Sequence, residues 1–81
     1  MDTVKAARQT MEIAMQHRDK FPSNGPLSFP HLSQMWTTMT DTNMSYGKRC
    51  RWLGWMQCAV VASGCASLED MKNINRDCKD E

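Results

Sequence analysis

Apolar residues recur at helical spacing in four blocks, separated by polar or proline-bearing breaks. In the first block Val4, Ala7, Met11, Ala14 and Met15 share one stripe, while Gln9, Glu12, Gln16 and Asp19 face elsewhere. With Thr3 as its cap, this pattern predicts an amphipathic helix that runs to about Lys20 and lies on a core. The next stretch, Phe21 to Pro30, holds all three prolines and Gly25. Proline lacks an amide donor and restricts the residue before it, so a loop is expected, pinned to the core by Phe21, Leu27 and Phe29.

Pro30 suits the first turn of a short second helix, with Leu32, Met35, Trp36 and Met39 on its apolar face. Its threonine-rich end leads into a break at Asp41-Thr42-Asn43. Ser45 can cap a third helix from about Tyr46 to Ser63, stopped by Gly64. One stripe of this helix is bulky (Trp52, Met56 and Val60, with Leu53 beside it), and another is small (Gly54, Cys58 and Ala62). The small stripe predicts close approach of another helix. Ser67-Leu-Glu-Asp70 resembles a capping box and opens a fourth helix to about Cys78, with Leu68, Met71, Ile74 and Cys78 on its inner face. The charged tail beyond it is expected to fray. No segment alternates long enough to be a strand. The fold expected is all-α: one domain over residues 1–81, a bundle of about four helices, the second short and the third at the centre.

A chain of 81 residues buries a smaller share of its surface than a larger domain does, so a partner, metal, disulfide or second copy adds useful stability. Eight methionines fit either a loosely specified core or a surface that moulds to its partner. The formal net charge of +1 gives no overall pull toward nucleic acid or anionic lipid. Charge is distributed unevenly, however. No acid lies between Asp41 and Glu69, where Lys48, Arg49 and Arg51 cluster, and the C-terminal segment is acidic.

The chain begins without an apolar leader, and the stretch from Trp52 to Ala66 is too short to span a bilayer and contains Gln57. The expectation is a cytoplasmic protein with reduced cysteines and no membrane segment. Cys50, Cys58, Cys65 and Cys78 include no C-x-x-C pair, and His17 and His31 stand apart from them, so neither a metal nor a cofactor is expected. Inert, buried thiols are the expected state of these cysteines. Cys50 has basic neighbours but no histidine base in sequence. The acids lie at helix starts and on solvated faces, and no glycine-rich phosphate loop is present. The third and fourth helices have a helix-turn-helix layout, but Glu69 and Asp70 at the start of the second would repel phosphate.

The segment from Tyr46 to Gln57 packs three cations, three aromatics and an amide into twelve residues. Tryptophan and arginine dominate binding hot spots, and arginine stacks on rings and grips carboxylates with two donors. The plainer alternative is a core tryptophan beside a solvated basic turn. The sequence Gly47-Lys-Arg-Cys-Arg-Trp-Leu-Gly-Trp-Met-Gln57, followed by Leu68-Glu-Asp-Met-Lys-Asn-Ile-Asn-Arg76, resembles a pattern in small phage and prophage accessory proteins: Gly-Lys-x-x-Arg-Trp-Leu-Gly-x-x-Gln before a short helix ending in Asn-Arg. The resemblance covers roughly the second half of the chain and, more loosely, Pro30-His31-Leu32. It implies a phage-borne protein in a bacterial cytoplasm and carries over no catalytic residue. The function expected is non-enzymatic: binding and blocking or redirecting a host protein such as a nuclease, polymerase or defence complex. The contact residues expected are Lys48, Arg49, Arg51, Trp55 and Gln57, with Trp36 as an outlying candidate. The alternatives are a small nucleic-acid-binding regulator using the same basic turn, and a self-associating protein that packs its Gly54/Cys58/Ala62 stripe against a second copy.

Overall fold

A computed structural model describes residues 1–41 and 43–79, and these form four α-helices with no strand. The helices are α1 (Thr3–Gln16), α2 (Phe29–Asp41), α3 (Tyr46–Ala62) and α4 (Leu68–Asp77). A single 3₁₀ turn, Arg18–Lys20, follows α1. The expected all-α bundle of four helices is what the described residues form, but the second helix is not the short one: α2 has 13 residues and α4 only 10. Thr42 of the expected break, and Asp80 and Glu81 of the expected frayed tail, lie outside the described residues.

Helix ends follow local chemistry. Asp2, rather than Thr3, caps α1: its side chain accepts the Lys5 amide at 3.0 Å. Thr3 is instead the first helical residue and is buried. The helix stops at Gln16, short of Lys20, because His17 leaves helical geometry and Phe21, which precedes Pro22, is extended. Ser45 caps α3 by accepting the Lys48 amide at 3.2 Å. At the other end of α3 the Cys65 amide donates to Val60 O at 3.2 Å and the Gly64 amide to Val61 O at 3.0 Å. Together these bonds form a Schellman closure, which needs the positive φ of 78° that Gly64 supplies. Ser67 and Asp70 form a complete capping box, with the Asp70 amide donating to Ser67 Oγ at 3.0 Å and the Ser67 amide to Asp70 Oδ2 at 2.9 Å.

The core joins Ala6, Ala7, Met11 and Ala14 of α1 to Leu32, Met35 and Met39 of α2, Leu53, Met56, Ala59 and Val60 of α3, and Met71 of α4. The helix at the centre is α1, not α3: it packs against each of the other three, most extensively against α3. The reason is size. Ala6, Ala7 and Ala14 are fully buried, and such short side chains let neighbouring helices come close on several sides. The buried stripe of α1 is also turned from the expected one. Thr3 and Thr10 lie inside, whereas Val4 and Met15 are exposed. Thr10 tolerates burial because its hydroxyl donates to Ala6 O at 2.8 Å. Leu68, expected on the inner face of α4, is 61% exposed.

Phe21 is buried and meets Phe29 edge-to-face at 6.1 Å, so the loop is held down as expected. The Asp2 amide donates to Cys78 O at 2.9 Å, tying the start of α1 to the end of α4.

Candidate binding cleft

The outer surface of α3 is where the chemistry concentrates. Residues four apart on a helix stand one above the other, so Lys48 lies over Trp52 and Arg51 over Trp55. The Lys48 ammonium stands 5.2 Å from the Trp52 ring centroid, within cation–π range. The His31 and Met35 pair of α2, also four apart, faces them. These two residues with Arg51, Trp52 and Trp55 line an open cleft of about 420 Å³. One wall of the cleft is fixed from outside the helix, since Trp55 Nε1 donates to Pro26 O at 3.0 Å and ties the loop to α3. Trp55 nevertheless remains 41% exposed, and Arg51 and Lys48 are exposed beside it.

The six residues expected at the surface therefore separate into two sets. Arg51 and Trp55 share the cleft, and Lys48 joins them through Trp52. Arg49 is half-buried, and its Nε is out of solvent with no hydrogen-bond partner. Gln57 is sealed in: at 8% exposure, its Nε2 donates to Asn75 Oδ1 at 2.8 Å and to Thr10 Oγ1 at 3.3 Å, while Asn75 Nδ2 donates to Gln57 Oε1 at 3.0 Å. Gln57 is thus a bracket between α1, α3 and α4 rather than a contact residue. Trp36 packs partly against the core and lines a separate hollow with Asp2, Lys5 and Arg8, away from the cleft. Trp52, His31 and Met35 join the cleft although they were not among the expected contacts. Their signal was the same spacing of four that relates Arg51 to Trp55.

The four cysteines are unpaired. Contrary to the expectation of buried thiols, only Cys78 is fully buried, and Cys58 is exposed. Burial pushes the Cys65 thiol above its ordinary pKa, the opposite of what a nucleophile needs. Among the described residues no group of three or more His, Cys, Asp or Glu side chains is placed to hold a metal ion. No helix among them is long and apolar enough to cross a membrane.

No family model, curated protein or solved structure matches this chain. The chemistry of the cleft therefore rests on its own residues. Two indoles and a thioether provide apolar surface, and Arg51 provides a forked donor at the rim with Lys48 behind it. No acid lies anywhere on α3. Such a site favours an apolar side chain flanked by a carboxylate.

Proposed function

We propose that this chain is a non-enzymatic accessory protein of the phage or prophage kind, which binds a host bacterial protein in the cytoplasm and inhibits or redirects it by covering a working surface. One observation carries the reading: Arg51, Trp52 and Trp55 of α3 converge with His31 and Met35 of α2 on one open cleft. Tryptophan and arginine dominate protein–protein hot spots, and the five residues lie on two helices held by a shared core, so little ordering is lost on binding. The cations of α3 favour a partner patch that places an acidic side chain next to a bulky apolar one. The setting comes from the resemblance of the Gly47–Gln57 segment to phage accessory proteins.

The nucleic-acid alternative is weaker because Arg49 is turned partly inward, which leaves Lys48 and Arg51 as the exposed cations of the cluster. Two such contacts give little counterion release and therefore little affinity at physiological salt. Capture from bacterial lysate with the intact chain and with Arg51→Glu tests the proposal. A host protein retained by the first and lost with the second supports it, and identical recoveries reject it.

A further inference from the structure

The small stripe of α3, Gly54, Cys58 and Ala62, was expected to admit a helix but is exposed on an open groove instead. More chemistry gathers between α1 and α2, around the tryptophan that the cleft leaves out. Residues three or four apart on a helix share a face, so Asp2, Lys5 and Arg8 form one row at the start of α1, and Trp36 and Thr40 form another on α2. The two rows, with Val4, line one open hollow of about 540 Å³, a size usual for small-molecule sites.

Charge and shape in the hollow point to an anion that carries a flat ring. Lys5 and Arg8 bring two cations, and among the described residues neither charged group has a hydrogen bond, ion pair or ring contact. The acid in the lining is Asp2, whose Oδ1 already accepts the Lys5 amide. Glu12 and Asp41 are exposed nearby in sequence but do not line the hollow. A guanidinium and an ammonium in one row suit a phosphate, the first as a fork and the second as a point charge.

The ring requirement comes from Trp36. Its indole packs partly against the core and leaves the rest to the hollow, beside a Val4 that is 36% exposed. The cation–ring contacts of the described residues are Arg18 with Phe29 and Lys48 with Trp52, so neither Lys5 nor Arg8 caps the Trp36 ring. An uncapped indole next to cations stacks a nucleobase whatever its identity. Two acceptors remain for sugar hydroxyls: Asp2 Oδ2, and Thr40 Oγ1, whose own proton goes to Trp36 O or Thr37 O. A protein carboxylate would satisfy the cations but would bring neither the ring nor the hydroxyl donors.

We propose that the hollow between α1 and α2 binds a nucleotide, with the phosphate on Arg8 and Lys5, the base against Trp36 and the sugar hydroxyls turned to Asp2 and Thr40. The inference shares no residue with the cleft and stands whether or not the cleft binds a host protein.

Nuclear magnetic resonance titration of the isotope-labelled full chain tests it, because the three tryptophans give separate indole N–H signals. The probes are adenosine monophosphate, adenosine, ribose phosphate and a short single-stranded oligoadenylate. Adenosine monophosphate should shift the Trp36 signal saturably and leave Trp52 and Trp55 in place. Adenosine, without the phosphate, and ribose phosphate, without the base, should each bind about tenfold or more weakly. Arg8→Glu should weaken binding of adenosine monophosphate to a similar degree, with helical circular dichroism retained because Arg8 is exposed. An oligoadenylate that moves the same Trp36 signal more tightly supports the same chemistry and places the nucleotide within a strand. A Trp36 signal that does not respond saturably to adenosine monophosphate would overturn the proposal. So would ribose phosphate binding as tightly as the whole nucleotide, binding indifferent to Arg8→Glu, or a glutamate-rich peptide that moves Trp36 where the nucleotide does not.

Discussion

Gln57 and Asn75 exchange two hydrogen bonds, Nε2 to Oδ1 at 2.8 Å and Nδ2 to Oε1 at 3.0 Å, and so clasp α3 to α4 amide to amide. The same Gln57 Nε2 also reaches Thr10 on α1. Three helices thus meet at one buried carboxamide. Removing it takes both side-chain partners from Asn75, while Thr10 keeps its bond to Ala6 O, and an unsatisfied buried polar group costs about 1–3 kcal/mol. Gln57→Ala should therefore lower stability by about 2 kcal/mol, or about 8–16 °C in Tm for a domain of this size. Asn75→Ala should cost less, because Asn75 is only half-buried. In a double-mutant cycle the two losses should be less than additive. Additive losses, measured by thermal or urea unfolding, would mean that the clasp does not act as a unit.

The capping box predicts a pH effect at α4. Accepting the Ser67 amide, and a further hydrogen bond with the Ser67 side chain, hold the Asp70 carboxyl below its ordinary pKa. A carboxylate stabilised in this way supports the fold above its unfolded-state pKa, and the support is lost as pH falls through the lower folded value. Unfolding followed across acidic pH should show α4 loosening in that window, and Asp70→Asn should blunt the dependence. Ser67→Ala, which removes the cap itself, should cost about 1 kcal/mol at neutral pH. A pH profile identical in intact chain and Asp70→Asn would refute the assignment.

Trp55 has a structural duty that predicts a local effect. Its indole N–H holds Pro26 O at 3.0 Å across 29 residues of chain. Trp55→Phe keeps most of the ring but loses the donor, at a net cost of about 1 kcal/mol. Amide exchange in the loop between α1 and α2 should speed up, while exchange in the middle of α3 should change little. Unaltered loop exchange would show that Phe21 and Phe29 hold the segment without help.

What could be read in the sequence was mostly local. The Ser45 cap, the Gly64 stop and the Ser67 box each depend on residues a few positions apart, and each stands where the pattern put it. The loop pinned by Phe21 and Phe29 was legible for the same reason. What escaped depends on how helices choose neighbours. Its apolar character made α3 look central, but the alanines of α1 allow the close approach that makes a hub. Taking Thr3 as the cap and leaving Thr10 off the stripe rotated the expected inner face of α1, although the Thr10 hydroxyl donates within its own helix. Gln57 looked like a contact residue beside two tryptophans. The overlooked hint was a lone amide inside an otherwise apolar run, with asparagines on the helix that follows. In the cleft, Arg51 and Trp55 were legible from their spacing of four, whereas their meeting with His31 and Met35 required the packing of α2.

The central claim is that the Arg51/Trp52/Trp55 cleft engages a host protein, and Arg51→Glu tests it without disturbing the Trp55–Pro26 tie. The decisive measurement is quantitative capture from bacterial lysate by the immobilised chain and by Arg51→Glu, after circular dichroism shows equal helicity. The account predicts a specific protein retained by the intact chain and reduced about tenfold or more by the variant, the loss expected when a charge-assisted contact is reversed. The same proteins recovered in equal amounts by both would contradict it.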